Sequence, residues 1–260
     1  MNYKVYGEDR PETLMLLHGG GLSWWNYRVA AGQLQGDYRV ILPILDGHAG
    51  SDRPFTSIED NAREIIGFID ERLGGRVPLI AGLSLGGQVL LEMLARRGDL
   101  CRIALVESAM ATPSPLTQAL TGPAVGCSYG LIQSRAFAKL QFAALHMPGA
   151  LFEDYYRDSC AIQRADMIAF IKASAGYALK PSVADCGAKV FAFVGSREYG
   201  KVLRSARRIR SAIPGSELVI FPGAFHGGLS MSDEYAEVVR RLMRDEPLPS
   251  CCIVEKDEPD

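Results

Sequence analysis

Six short apolar runs constrain this chain more than any other feature: "TLMLLHG" (13–19), "YRVILPIL" (38–45), "VPLIAGLS" (77–84), "CRIALVES" (101–108), "KVFAFVG" (189–195) and "ELVIFPG" (217–223). Runs that are apolar at successive positions fit strands buried on both faces, and parallel strands joined by crossover helices bury both faces. The stretches between them are amphipathic. The clearest is "SIEDNAREIIGFIDERL" (57–73), where Ser57 caps, Asp60 completes a capping box, and Ile65, Ile66, Ile69 and Leu73 share a face. The pattern predicts an α/β fold, a mostly parallel sheet flanked by helices, with "YKVYG" (3–7) as an antiparallel edge. From 109 to about 186 no comparable run occurs, only helical pieces such as "QSRAFAKLQFAAL" and "ADMIAFIKASAGYAL". This interval reads as a helical insertion before the last two strands, over the sheet's carboxyl edge, where open α/β sheets hold ligands.

At 260 residues and 48% hydrophobic, with no long polar divider, residues 1–246 are expected to form one domain that includes the insertion. The tail 247–260 is polar, proline-bearing and acidic, and is expected to be poorly ordered. A formal charge of −2, from 28 basic and 30 acidic residues interspersed, offers no field for nucleic acid and suits a small neutral or weakly polar substrate. The N-terminal segment carries only a five-residue apolar run before His18, too short for a signal-peptide core or a membrane span, so the expected location is the cytoplasm. Six cysteines lack metal-type spacing, most of them read as buried thiols, and Cys251 with Cys252 reads as an incidental pair. No phosphate loop, dinucleotide fingerprint or metal-ligand spacing is present, so neither metal nor cofactor is expected. Oligomeric state is not legible.

Chemistry enters at "LIAGLSLGG" (79–87). A chain that leaves a buried strand and turns at once into a helix passes through a strained turn, and the residue at its apex, Ser84, is expected at positive φ. Gly82 and Gly86, two positions to either side, supply clearance, and the helix that follows aims its N–H groups at the serine. A serine hydroxyl is a weak nucleophile and needs a base and an orienting acid. Of four histidines, His226 in "FPGAFHGGL" follows the last run and so emerges at the same edge as Ser84. Glu198, three residues past "KVFAFVG", and Glu107, at the end of "RIALVE", are the candidate acids, and chain order favours Glu198. "HGGG" (18–21) ends the first long run and can present backbone N–H groups opposite that of Leu85, a pair suited to a tetrahedral oxyanion.

At these residues the chain resembles the α/β-hydrolase superfamily over nearly its whole length. "LLHGGG" is similar to the family's oxyanion loop, "GLSLGG" to its nucleophile elbow, "GSRE" to its acid turn and "FPGAFHG" to its catalytic-histidine loop, in the order Ser84, Glu198, His226. The resemblance implies a catalytic domain with a helical cap, Ser84 as nucleophile, His226 as general base then acid, Glu198 as orienting carboxylate with Glu107 in reserve, and Gly20 with Leu85 as oxyanion donors, Gly21 being the alternative. The family's acid is more often aspartate, so the longer Glu198 requires a turn set back from the imidazole. "LDGHAGSD" (45–52) matches the D-x-x-G-x-G-x-S loop of small esterases only in part, and Asp46 there reads as structural. Trp24 and the aromatics spread over the insertion suggest an apolar pocket for an ester, with no Arg/Lys cluster near the motifs to indicate a phosphate-bearing or coenzyme A substrate. The expected activity is hydrolysis of a small-molecule carboxylic ester, thioester or lactone through an acyl-enzyme. The same groups serve C–C bond hydrolysis or acyl transfer, and a weakly catalytic ligand-binding protein is a further alternative.

Overall fold

A computed structural model describes residues 1–255. Eight strands form one sheet: β1 (Tyr3–Tyr6), β2 (Thr13–Leu17), β3 (Arg39–Pro43), β4 (Val77–Leu83), β5 (Cys101–Glu107), β6 (Lys189–Gly195), β7 (Glu217–Phe221) and β8 (Ile253–Val254), in the order β1-β3-β2-β4-β5-β6-β7-β8. The six inner strands run parallel, and β1 and β8 close the edges antiparallel. Each expected run lies on its strand to within two residues.

Period two along each strand explains the two-sided core. Met15, Leu17, Ile80, Ala104 and Val190 face one way, against α2 (Ile58–Leu73), α3 (Leu85–Arg96) and α8 (Gly200–Ala212). Leu14, Leu16, Leu79, Leu105 and Phe193 face the other, against α1 (Arg28–Leu34) and α9 (Tyr235–Met243). The start of α2 is capped as expected, with the Asp60 N–H donating to Ser57 Oγ at 3.0 Å.

Between β5 and β6 lie α4 (Pro115–Ser128), α5 (Arg135–Ala144), α6 (Phe152–Ala161) and α7 (Arg164–Gly176). Specific polar contacts tie this insertion to the body. Trp25 Nε1 donates to Asp158 at 2.7 Å, Arg28 pairs with Asp154 at 2.8 Å, and the Phe55 N–H donates to Asp166 at 2.8 Å. Gln88 Nε2 donates to the carbonyls of Met110 and Ser174, and the His146 ring stacks on Phe225 at 3.7 Å.

The expectation of a poorly ordered tail from 247 fails for its first part. Ile253 and Val254 extend the sheet beside β7, and Glu255 pairs with Arg207 at 2.9 Å and with Arg210. The apolar pair supplies an edge strand, and the carboxylate meets cations on α8. Residues 256–260 lie outside the described residues.

Candidate active site

Ser84 joins β4 directly to α3 at φ 52°, ψ −110°. The neighbouring glycines are required by close approach. A Cβ at Gly82 would lie 2.3 Å from the carbonyl oxygen of Gly86, and one at Gly86 would lie 2.3 Å from that of Leu17 and 2.6 Å from that of His18. No side chain larger than hydrogen lets β2, β4 and α3 converge so tightly. The Ser84 N–H is anchored to the carbonyl of Glu107 at 2.8 Å, while its Oγ has no hydrogen-bond partner among the described residues.

Four further groups, Glu198, His226, Glu107 and Ser108, come from the carboxyl ends of the next strands. Glu198 follows β6 in a turn closed by its own N–H on the Gly195 carbonyl, 3.1 Å, with the Arg197 N–H on that of Ala224, 2.9 Å. Its carboxylate is buried: Oε1 accepts from Ser108 Oγ at 2.7 Å and the Gly195 N–H at 2.8 Å, and Oε2 lies 2.9 Å from His226 Nδ1. A carboxylate oxygen accepts, so Nδ1 is the donor of this pair, and in the neutral form of the ring the lone pair is on Nε2. The turn is thus set back far enough for the extra methylene of a glutamate. His226 itself, after β7, is 46% exposed at its side chain.

Glu107 does not reach the imidazole. It is buried at the end of β5 and accepts from the N–H groups of Leu229 and Ser230 at 3.0 to 3.2 Å, fixing the segment after His226. Burial is the main cause that raises its carboxyl to about 7, with Glu198 contributing. Ser108, at φ 56°, bridges the two halves of this edge: its hydroxyl donates to Glu198 and accepts from the Gly227 N–H at 3.3 Å. Nothing in the sequence marked it, since its role depends on a backbone twist at a strand end.

On the opposite side of Ser84, two buried histidines shape the loop after β2. His18 accepts the Leu45 N–H on Nε2 at 3.0 Å, with Nδ1 2.9 Å from the Gly19 carbonyl. His48 accepts the Gly21 N–H on Nε2 at 3.0 Å, with Nδ1 3.0 Å from the Asp46 carbonyl. Each ring therefore donates from Nδ1 and accepts at Nε2, which is the neutral tautomer. Burial lowers His18 to about 3 and His48 to about 4, with His48 also lowering His18. The Gly21 N–H is consequently engaged, and that alternative of the sequence reading is not supported. The N–H groups of Gly20 and Leu85 have no partner among the described residues and are able to bind a negative oxygen.

Two cavities meet at Gly20 and Phe170. One, about 250 Å³, reaches Ser84, Leu85 and Thr117 and is rimmed by Lys201; the other, about 180 Å³, lies between Gly21, Tyr155 and Met167. Phe170 also stacks on His48 at 4.5 Å, so the divider and the loop brace each other. Trp24 lines neither cavity. Its ring packs beside Lys4 and Arg28 at 5.9 and 5.1 Å, while Trp25 is the fully buried member of the pair. A larger hollow of about 420 Å³ opens at the opposite ends of the strands, where Arg102 is paired with Asp245 and Lys189 with Glu217. Among the described residues no cluster of metal-ligating side chains is found and no helix is long and apolar enough to cross a membrane.

No curated protein sequence matches the chain. Its fold is similar to that of a thermophilic esterase from Thermogutta terrifontis, described as malate bound, at TM-score 0.79 and 18% identity over 94% of this chain and 93% of that one. A bromoperoxidase from Bacillus anthracis is similar at TM-score 0.77 and 15% identity over 94% and 95%, and the enol-lactonase from Burkholderia xenovorans LB400 at 0.74 and 16% over 94% of each chain. Likeness at such identities concerns the fold. The model of the alpha/beta hydrolase family matches residues 14–241, and the chain belongs to that family.

Proposed function

We propose that this protein is a serine hydrolase that cleaves a small-molecule carboxylic ester, thioester or lactone through an acyl-enzyme. Family membership supports hydrolase activity in general. The observation that carries the finer reading is the buried Glu198 carboxylate 2.9 Å from His226 Nδ1, held at the same sheet edge as the strained Ser84 turn. Ser84 Oγ attacks the carbonyl carbon while His226 Nε2 takes its proton. The negative oxygen is received by the Gly20 and Leu85 N–H groups, and Glu198 balances the imidazolium. His226 then returns the proton to the leaving alkoxide, and water repeats the attack on the acyl-serine. The neutral His18 and His48 act as positioning residues for the loop that bears Gly20.

The test is hydrolysis of p-nitrophenyl esters from acetate to palmitate by wild type and Ser84→Ala. The expected loss in the variant is roughly 10⁴ to 10⁶ in kcat. A folded Ser84→Ala protein with undiminished turnover would refute the assignment. The fold is shared with an enol-lactonase and an esterase, so lactone and open ester are both to be assayed. Product analysis with an added alcohol distinguishes hydrolysis from acyl transfer.

A further inference from the structure

The cavity above Ser84 has an unbalanced charge. None of the residues that line it is acidic, yet Lys201 does, and Lys201 has no hydrogen bond or ion pair among the described residues. Two of the six described lysines meet a carboxylate, Lys180 with Glu92 at 2.7 Å and Lys189 with Glu217 at 2.9 Å, and Lys201 is not one of them. The one acid nearby in the chain, Glu198, is buried and engaged by Ser108, Gly195 and His226. The neighbouring cavity contains no charged residue and is walled by Leu22, Met167, Phe170 and Ile171. The cleft therefore has an apolar compartment and a cationic one, with Gly20 common to both.

We propose that Lys201 selects an ester bearing a carboxylate, which sits in the Ser84 cavity while the apolar half of the molecule fills the compartment beyond Gly20. A single ammonium with the hydroxyls of Thr117 and Ser174 suits a monoanion; a dianionic phosphate would leave one charge uncompensated in the cavity. That the bound molecule is an ester rests on the serine-hydrolase reading above, whereas the anion subsite does not.

Two matched pairs of substrates test it, with the carboxylate on the acyl side (4-nitrophenyl hemiglutarate against 4-nitrophenyl valerate) or on the alcohol side (3-carboxyphenyl butyrate against phenyl butyrate). In wild type at least one pair is expected to favour the anionic member by roughly tenfold in kcat/KM at low salt, the gain expected of one hydrogen-bonded charge pair, and the ratio is expected to shrink as salt is added. Lys201→Gln is expected to bring that ratio near one, Lys201→Arg to preserve it, and the charge control Lys139→Gln to leave it as in wild type. No preference in either pair, or a preference that survives Lys201→Gln, would overturn the proposal. Should no ester be turned over, the hydrolase reading falls but the subsite is still decided by thermal shift. Glutarate is expected to raise Tm above glutaramide in wild type and not in Lys201→Gln, and equal shifts would refute it. Inorganic phosphate stabilising more than glutarate would overturn the choice of a carboxylate.

Discussion

Substituting Gly86 by alanine probes the convergence on which the site depends. The added methyl would sit 2.3 Å from the Leu17 carbonyl oxygen and 2.6 Å from that of His18. An ordinary C···O contact is about 3.3 Å, so the first turn of α3 must withdraw from the end of β2 by about 1 Å. Both obstacles are backbone atoms of fully buried residues and cannot swing aside. Overpacking of this kind costs about 1–3 kcal/mol. The same shift separates the Leu85 N–H, adjacent to position 86, from the Gly20 N–H, two residues beyond His18. A 1 Å error in positioned groups costs about 10²-fold in rate. Urea unfolding monitored by tryptophan fluorescence reads the first effect, and ester hydrolysis at a temperature where the variant is folded reads the second. Gly67→Ala in α2, where no atom lies within 4 Å of the new methyl, is the control and is expected to gain about 0.5–1 kcal/mol with unchanged kcat. A Gly86→Ala protein with wild-type stability and turnover would refute the steric argument and with it the reason given for the glycines.

Ser108→Ala removes the donor 2.7 Å from Glu198 and the acceptor of the Gly227 N–H. A hydrogen bond to a charged group is worth about 1.5–3 kcal/mol, so kcat/KM is expected to fall about tenfold to a hundredfold, and a value within twofold of wild type would show that Glu198 needs no such support. The buried histidines give a signed pH dependence of stability. His18 and His48 titrate near 6.5 when unfolded and at about 3 and about 4 when folded, so their contribution is complete above pH 6.5 and is lost as pH falls toward 4, at about 1.4 kcal/mol per pH unit for each ring. Glu107, raised from 4.5 to about 7, acts in the opposite sense: its contribution is complete below pH 4.5 and is lost as pH rises through 7. His48→Asn, followed by urea unfolding from pH 6.5 to 4, is expected to show a slope shallower than wild type by about 1.4 kcal/mol per pH unit, and identical slopes would contradict the neutral assignment.

The six inner strands were legible because they bury both faces and so advertise themselves as unbroken apolar runs. Strand β8 was not, because two residues, Ile253 and Val254, are too few to stand out between vicinal cysteines and an acidic end. Ser84 and His226 could be picked out because glycine spacing and chain order report backbone geometry directly. The choice between Glu198 and Glu107 could not be made from spacing, since both end adjacent strands and only the turn at 195–198 aims one at the imidazole. Trp24 was misplaced for a related reason. In a tight helical turn neighbouring side chains diverge, so Trp25 went inward to Asp158 and Trp24 went to Lys4 and Arg28. The involvement of His48, Phe170 and Lys201 depends on side-chain directions from three distant segments, which no local pattern encodes.

The central claim is that Ser84 Oγ is the activated nucleophile, and covalent trapping tests it most directly. Folded protein is treated with a fluorophosphonate, digested, and the modified residue is mapped by mass spectrometry in wild type and in His226→Ala. The account predicts one adduct, on Ser84, formed far more slowly when the imidazole is absent. No adduct on folded wild-type protein, or an adduct on another residue with Ser84 unmodified, would contradict it.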